Sequence, residues 1–205
     1  VKTLDYVLAS SGDKVKIPFD YPVIVKPTKL GSSLGVSIAK EESELEYALD
    51  IAYEYDKKAL IEPFMQGVKE YNVAGYKAND LIAHSIIEEP QKEEFLDFDK
   101  KYMDFSRTEQ VFKADIDEAL EEALKNSFST IYNTLFDGSL IRCDFFVIDN
   151  EVYLNEINPV PGSLSNYLFN DFNETIQALI KYLPVEHKIP VSYQYINKIR
   201  SAKGK

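Results

Sequence analysis

The spacing of apolar positions changes several times along the chain, and each change marks an element. Val23-Ile24-Val25 is a short apolar run between Tyr21-Pro22 and Lys26-Pro27, the pattern of a buried strand that proline ends. Beyond a tip of glycines and serines, Thr28 to Gly35, the segment Val36-Ser37-Ile38-Ala39 alternates again, which predicts a hairpin over 22–39. Ser43 with Glu46 three positions on reads as a capping box, and Leu45, Ala48, Leu49, Ala52 and Tyr55 then share one helical stripe. Leu60-Ile61-Glu62, Tyr71 to Tyr76 and Leu81 to Ile87 read as strands, the last two joined by a turn at Ala78-Asn79-Asp80.

From Glu88 to Lys101 the periodicity fails while charges and phenylalanines accumulate, so a long loop of the kind used as a lid is expected near 88–105. Asp115 is placed to cap a second helix whose inward stripe is Ile116, Leu120, Ala123, Leu124, Ser127, Phe128, Ile131 and Leu135, with Asp137-Gly138 as its stop. Ile141 to Ile148 and Val152 to Ile157 pair around Asp149-Asn150-Glu151, and Asn158-Pro159-Val160-Pro161-Gly162 excludes regular structure beyond them. Helical stretches are expected near 163–170 and 173–182, ahead of a Lys-rich tail at Lys198 to Lys205.

Composition narrows the function classes. With 34 acidic against 23 basic side chains, the formal charge of −11 disfavours a general nucleic-acid partner, whose phosphates the average field repels. At 45% hydrophobic residues the chain has material for a packed core. A lone cysteine, Cys143, rules out an internal disulfide and a polythiolate zinc site. No run approaches the roughly 18–20 apolar residues of a membrane span, so a cytoplasmic location with no membrane partner is expected. The chain opens Val1-Lys2-Thr3 without Met, an opening expected from processing or an artificial boundary.

The last hairpin carries the clearest chemistry. Arg142, Asp144, Glu156 and Asn158 interrupt strands that are otherwise apolar and aromatic, where unpaired charge costs at least several kcal/mol. A three-residue connection sets Ile148 against Val152, hence Asp144 against Glu156 and Arg142 against Asn158 on one face; a two-residue turn would split the carboxylates between faces. Two carboxylates within ~5 Å repel unless a proton or cation lies between them. The all-oxygen set Asp144, Glu156 and Asn158 suits Mg²⁺ better than a softer metal. The alternative is a solvated Arg/Asp/Glu patch.

The first hairpin offers an anion cradle: Gly31, Ser32, Ser33 and Gly35 give close backbone approach and hydroxyls, and Lys26 needs an anionic partner. Against it stands an ordinary flexible turn. Glu62-Pro63-Phe64-Met65 ends a strand in an acid and a proline that frees backbone groups able to read an adenine edge, with Glu62 or Glu70 accepting from a ribose; a plain strand exit is the alternative. His84 reads as structural, no hydrolytic triad is supported, and Cys143 reads as core.

Val25-Lys26-Pro27 with Gly31 to Val36, Leu60-Ile61-Glu62-Pro63, Lys101-Tyr102, Arg142-Cys143-Asp144 and Asn155 to Gly162 together resemble, from about Tyr21 to Phe169, the ATP-grasp part of the bacterial D-alanine-D-alanine ligases. The resemblance implies an α+β ATP-grasp fold, antiparallel sheets with flanking helices, and an ADP-forming ligase that joins two D-alanines through an acyl phosphate for peptidoglycan precursors. By matching position, Lys26, Ser32, Ser33 and Lys101 would meet ATP, Glu62, Pro63, Phe64, Met65 and Glu70 would hold adenosine, and Asp144, Glu156 and Asn158 would ligate two Mg²⁺ ions, with Mn²⁺ a possible substitute. Arg142 would steady the tetrahedral intermediate, Ser32 would act beside it, and Tyr102 would sit in a loop over the second substrate.

The expected division is a remnant at 1–20, a small subdomain at 21–85 and a large one at 86–205 holding the loop and the C-terminal helices. Where many family members place a serine for the acceptor carboxylate, this chain has Tyr167, so D-lactate or D-serine is an alternative acceptor; a non-catalytic nucleotide-binding module is a further alternative. The family also carries an N-terminal domain, whereas 25 residues precede Lys26, which leads to the expectation of a C-terminal fragment inactive alone and a homodimer at full length.

Overall fold

The computed structural model describes residues 1–29, 31, 33–90 and 113–183. The elements run β1 (Lys2–Thr3), β2 (Val7–Ser10), β3 (Val23–Pro27), β4 (Ser37–Ala39), α1 (Glu42–Tyr53), β5 (Lys58–Pro63), β6 (Lys69–Ala78), β7 (Leu81–Glu88), α2 (Glu118–Leu135), β8 (Ile141–Ile148), β9 (Glu151–Asn158), a 3-10 turn (Gly162–Leu168) and α3 (Phe172–Lys181). They divide into two compact units, Thr3–Val68 and a second made of Val1–Lys2 with the chain from Lys69 on. The residues before 21 thus supply β2, an edge strand of the first unit's sheet, and β6 and β7 pair within the second unit's sheet rather than with residues 21–68.

In the first unit the sheet order is β2-β5-β3-β4, with the hairpin of β3 and β4 in the register Val23↔Ala39 and Val25↔Ser37. Val23, Val25, Ala39, Ala59 and Ile61 close a core against Leu45, Ala48, Leu49 and Ala52 of α1, each larger side chain contributing on the order of 1.5–3 kcal/mol by burial. Pro27 is the last residue of β3, as expected, and still pairs with Ala59. β4 pairs no farther than Val25, so proline interrupts nothing on that side. The capping box at Ser43 does not form. Glu41 is the N-cap, Ser43 lies inside the first turn with its hydroxyl donating to Glu41 at 2.5 Å, and Glu44 closes the end by accepting from the Lys40 N–H at 2.7 Å.

The second unit's sheet runs β1-β9-β8-β6-β7. One face, formed by Tyr71, Val73, Ile87, Ile141, Cys143 and Phe145, is covered by Leu124, Phe128, Ile131 and Tyr132 of α2. At Gly75 a Cβ would lie 2.8 Å from both the Ala83 carbonyl and the Phe128 ring, so glycine lets helix and sheet approach. The cap of α2 is Asp117, accepting from Leu120 N–H at 2.8 Å, not Asp115, and Leu135 is exposed rather than inward. Tyr132 takes a buried place because its hydroxyl accepts from the Lys77 N–H at 3.1 Å and donates to the Ser139 carbonyl at 2.7 Å.

The connection between β8 and β9 is a two-residue turn, Asp149-Asn150, with φ of 51° and 63°, and Ile148 opposes Glu151. The three-residue connection is therefore wrong, yet Asp144 still faces Glu156. A bulge explains this: Phe145 pairs with Leu154 and Asp144 with Glu156, leaving Asn155 as one extra residue in β9. Near 163–170 the expected helix is a 3-10 turn whose Ser163, Leu164 and Ser165 have φ of 49°, 52° and 49°. The loop expected at 88–105 falls largely, and the tail at 198–205 wholly, outside the described residues. Among the described residues no helix is long and apolar enough to cross a membrane.

Candidate functional site

In the second unit, the sheet face turned away from α2 holds the polar cluster. Asp144 and Arg142 alternate with the buried Cys143, so they point together to this face, and the bulge at Asn155 brings Glu156 and Asn158 to it. Arg142 grips Asp144 with two hydrogen bonds, Nε to Oδ1 at 2.6 Å and Nη2 to Oδ2 at 2.7 Å, while its Nη1 reaches the Tyr167 hydroxyl at 3.3 Å. The Asn158 amide donates to Asp144 at 3.2 Å and to Glu156 at 3.0 Å.

Burial pushes the Asp144 carboxyl up to about 7, with Glu156 adding to the rise and Arg142 opposing it. Arg142 is itself raised, because its pairing with Asp144 outweighs its desolvation. The two-pronged geometry is that of a carboxylate held by a guanidinium, so we read the pair as charged. Tyr167 is also raised, by burial first and then by Glu88, with Arg142 opposing. Cys143 is fully buried in the core beneath α2, and that burial drives its thiol up to about 12.

In the first unit, Lys26 meets Glu62 at 2.5 Å, with side chains 19% and 9% exposed, which gives Lys26 a carboxylate partner within the sheet. The backbone after Glu62 is not freed by Pro63. Pro63 pairs with Val23, and the Phe64 N–H donates to the Pro22 carbonyl at 2.9 Å. Met65 follows, half-buried. Ser33 lies in the turn between β3 and β4 with φ of 54°. Glu70 belongs to the second unit, on β6 opposite Phe146. Ser32, Lys101 and Tyr102 lie outside the described residues.

Residues 6–178 match the family model described as D-ala D-ala ligase C-terminus. The chain belongs to this D-Ala-D-Ala ligase C-terminal family. It is 60% identical over its whole length to the D-alanine--D-alanine ligase of Wolinella succinogenes and 55% identical to that of Sulfurimonas denitrificans, spanning 59% of each relative. The crystal structure of D-Ala-D-Ala ligase from Helicobacter pylori superposes with a TM-score of 0.76 at 52% identity, covering 91% of this chain and 55% of that one. A D-Ala:D-Ser ligase from Enterococcus faecalis shares the fold with a TM-score of 0.73 at 22% identity. The architecture is thus the expected α+β ATP-grasp fold of the D-Ala-D-Ala ligases, with antiparallel sheets and flanking helices.

Two residues of the cluster escaped the sequence reading. Asn72 of β6 stands directly opposite Asp144, and Glu88 of β7 directly opposite Asn72, whose amide donates to it at 3.0 Å. The signal was available, because Asn72 is a polar interruption of an apolar strand, the criterion that picked out Arg142 and Asp144.

Proposed function

We propose that this chain is the nucleotide- and metal-binding part of an ATP-dependent, ADP-forming ligase that joins two D-alanines in the bacterial cytoplasm for cell-wall precursors. The observation that carries the reading is the face of β8 and β9, where Asp144, Glu156 and Asn158 converge around an Arg142 already committed to Asp144. The fit to a divalent cation rests on donor chemistry. Asp144 and Glu156 offer carboxylate oxygens, the donors Mg²⁺ prefers, and Asn158, whose N–H bridges the two, carries an amide oxygen beside them. Bound there, Mg²⁺ would supply charge neutralisation for transferring a phosphoryl group to the D-alanine carboxylate.

The protein's own groups have separable tasks. Asp144 and Glu156 would hold the metal, together with the amide oxygen of Asn158. Arg142, oriented by Asp144, stabilises negative charge that develops when the amine of the second D-alanine attacks. Tyr167, hydrogen-bonded to Arg142, is the group we assign to the acceptor. In the first unit, Lys26 is the cation for ATP phosphates, with Ser32 and Ser33 as further phosphate contacts, exchanging its Glu62 contact for phosphate, and Glu62 to Met65 serve adenosine. Lys101 and Tyr102 take the nucleotide and lid roles expected from the family, Glu70 accepts from ribose, and a homodimer is the proposed assembly.

The test is ADP release coupled to dipeptide formation in a polypeptide of the relatives' full length that carries this chain. Glu156→Gln is expected to lower Mg²⁺-dependent turnover by at least about 100-fold, the scale of losing preorganised charge stabilisation. Turnover that survives Glu156→Gln unchanged overturns the assignment.

A further inference from the structure

The carboxylates of the last hairpin belong to a longer row. Ladder pairing sets Glu88, Asn72, Asp144 and Glu156 side by side across β7, β6, β8 and β9, all on the face away from α2. Adjacent members have Cβ atoms about 5 Å apart, the spacing of direct cross-strand neighbours. Two bulges create this row. Without the extra residue in β7 Glu88 would turn to the core face, and without that in β9 Glu156 would do the same.

Asn72 sits inside this row, 6% exposed. A carboxylate accepts hydrogen bonds only, so the contact to Glu88 fixes which end of the Asn72 amide is nitrogen. The other end, Oδ1, is buried without a hydrogen-bond partner among the described residues. A buried carbonyl oxygen left bare costs stability, and this one belongs to the residue flanked by Glu88 and Asp144. Among the described residues, Arg142 directs both prongs of its guanidinium to Asp144, the neighbour of Asn72. Oxygen donors side by side on one face, one of them buried and without a hydrogen-bond partner, are what a divalent metal site presents.

The geometry points to Asn72 as a further oxygen ligand of the metal site, its Oδ1 joining Asp144, Glu156 and Asn158, with Glu88 as the positioning residue that holds its amide. This rests on the metal reading of Asp144 and Glu156 given above and extends it by one strand. It also assigns Glu88 a task the catalytic cycle does not otherwise give it: a buried amide held by one carboxylate presents its oxygen in a fixed direction, as outer partners of metal ligands do.

Mn²⁺ alone is the probe, titrated into the 205-residue chain while the electron paramagnetic resonance signal of free Mn²⁺ is followed. Wild type is expected to deplete the signal, Glu156→Gln to abolish depletion, and Asn72→Leu, of similar size but without oxygen, to weaken binding by about 10–100-fold. Asn72→Asp keeps an oxygen and adds charge, so it is expected to bind Mn²⁺ at least as tightly as wild type and to gain more in melting temperature on adding metal. Asn72→Leu binding like wild type, while Glu156→Gln does not bind, overturns the role of Asn72 and leaves the metal face standing. Wild type failing to bind, or Glu156→Gln binding unchanged, removes the metal face and this inference with it. Should Asn72→Leu fail to fold, Asn72→Asp decides alone, and weaker Mn²⁺ binding by it refutes the assignment.

Discussion

The hairpins β6–β7 and β8–β9 are built to one plan and loaded differently. Each turns on two left-handed residues with the same φ pair, 51° and 63°, at Asn79-Asp80 and at Asp149-Asn150. Each return strand then takes one extra residue, so the side chains packed on the α2 core fall at Ile82, His84 and Ile87 in one and Val152, Leu154 and Ile157 in the other, a spacing of two and then three. In β7 the bulge is filled by Ser85, whose hydroxyl accepts from the Ala74 N–H at 3.0 Å and donates to the Ile86 carbonyl at 2.7 Å. In β9 the extra residue is Asn155, and beyond it lie Glu156 and Asn158 of the proposed metal site. The turn fixes the register near the tip. The bulge decides which face receives the acids, and the same device delivers Glu88 from one side of the sheet and Glu156 from the other.

The largest expected effect follows from the spacing of two and three. Leu154→Ala and Ile157→Ala should each destabilise the chain by about 2 kcal/mol, the lower end for truncating an aliphatic core side chain because both are only partly buried. Ile82→Ala and Ile87→Ala should behave as the matching pair. An unbulged strand would put the two members of each pair on opposite faces, and then one truncation of each pair would cost almost nothing. Urea unfolding of the four variants measures this. A pair whose members differ by more than about 1.5 kcal/mol breaks the parallel between the hairpins.

The sequence showed much of the polar face and less of the means that builds it. Arg142, Asp144, Glu156 and Asn158 stand out as charges in apolar strands, and they do converge. Their convergence was argued from a three-residue turn, whereas a shorter turn and a bulge achieve it together. A strict period of two was assumed, although Val152, Leu154 and Ile157 already carried the extra step. Asn72 is a single polar exception in Tyr71 to Tyr76, a segment whose aromatic and apolar residues already mark it as a strand. Local helix signals were off by one or two residues at both starts: α2 begins at another capping residue, Asp117, two positions after Asp115, and at α1 it is Glu44 that reaches back to the Lys40 N–H, with Glu41 as N-cap in place of Ser43. The backbone pairing of Phe64 to Pro22 was illegible for another reason, since it depends on a strand neighbour distant in sequence.

A smaller effect separates the two bulges. Ser85→Ala leaves the buried Ala74 N–H without an acceptor and should cost about 1–2 kcal/mol, toward the low end for a stranded buried donor. It should also speed amide exchange at Ala74 more than at its ladder neighbours. An Asn155→Ala substitution is expected to cost less than Ser85→Ala, because ladder pairing resumes on both sides of Asn155 at Leu154 and Glu156. If Asn155→Ala proves the costlier of the two, the bulge in β9 depends on its side chain, and the contrast between a filled and an unfilled bulge fails.

The smallest effect tests the part the two hairpins share most closely. Asp80 and Asn150 occupy the second turn position at φ of 63°, where glycine adopts the left-handed conformation without steric cost and is the residue two-residue turns prefer. Asp80→Gly and Asn150→Gly should each stabilise by about 0.5 kcal/mol, the relief of the left-handed backbone exceeding the extra chain entropy that glycine loses on folding. Equal gains, measured by thermal melting of the two variants, mean that the turns contribute alike and that the difference between the hairpins begins at their bulges. A gain at Asn150 with a loss at Asp80 would instead locate it at the tip, where Lys77 lies 3.8 Å from Asp80 and 3.9 Å from Asp137. Those contacts are long and largely solvent-exposed on the acidic side, and exposed pairs of this kind contribute roughly 0–1 kcal/mol, so the conformational gain should still prevail.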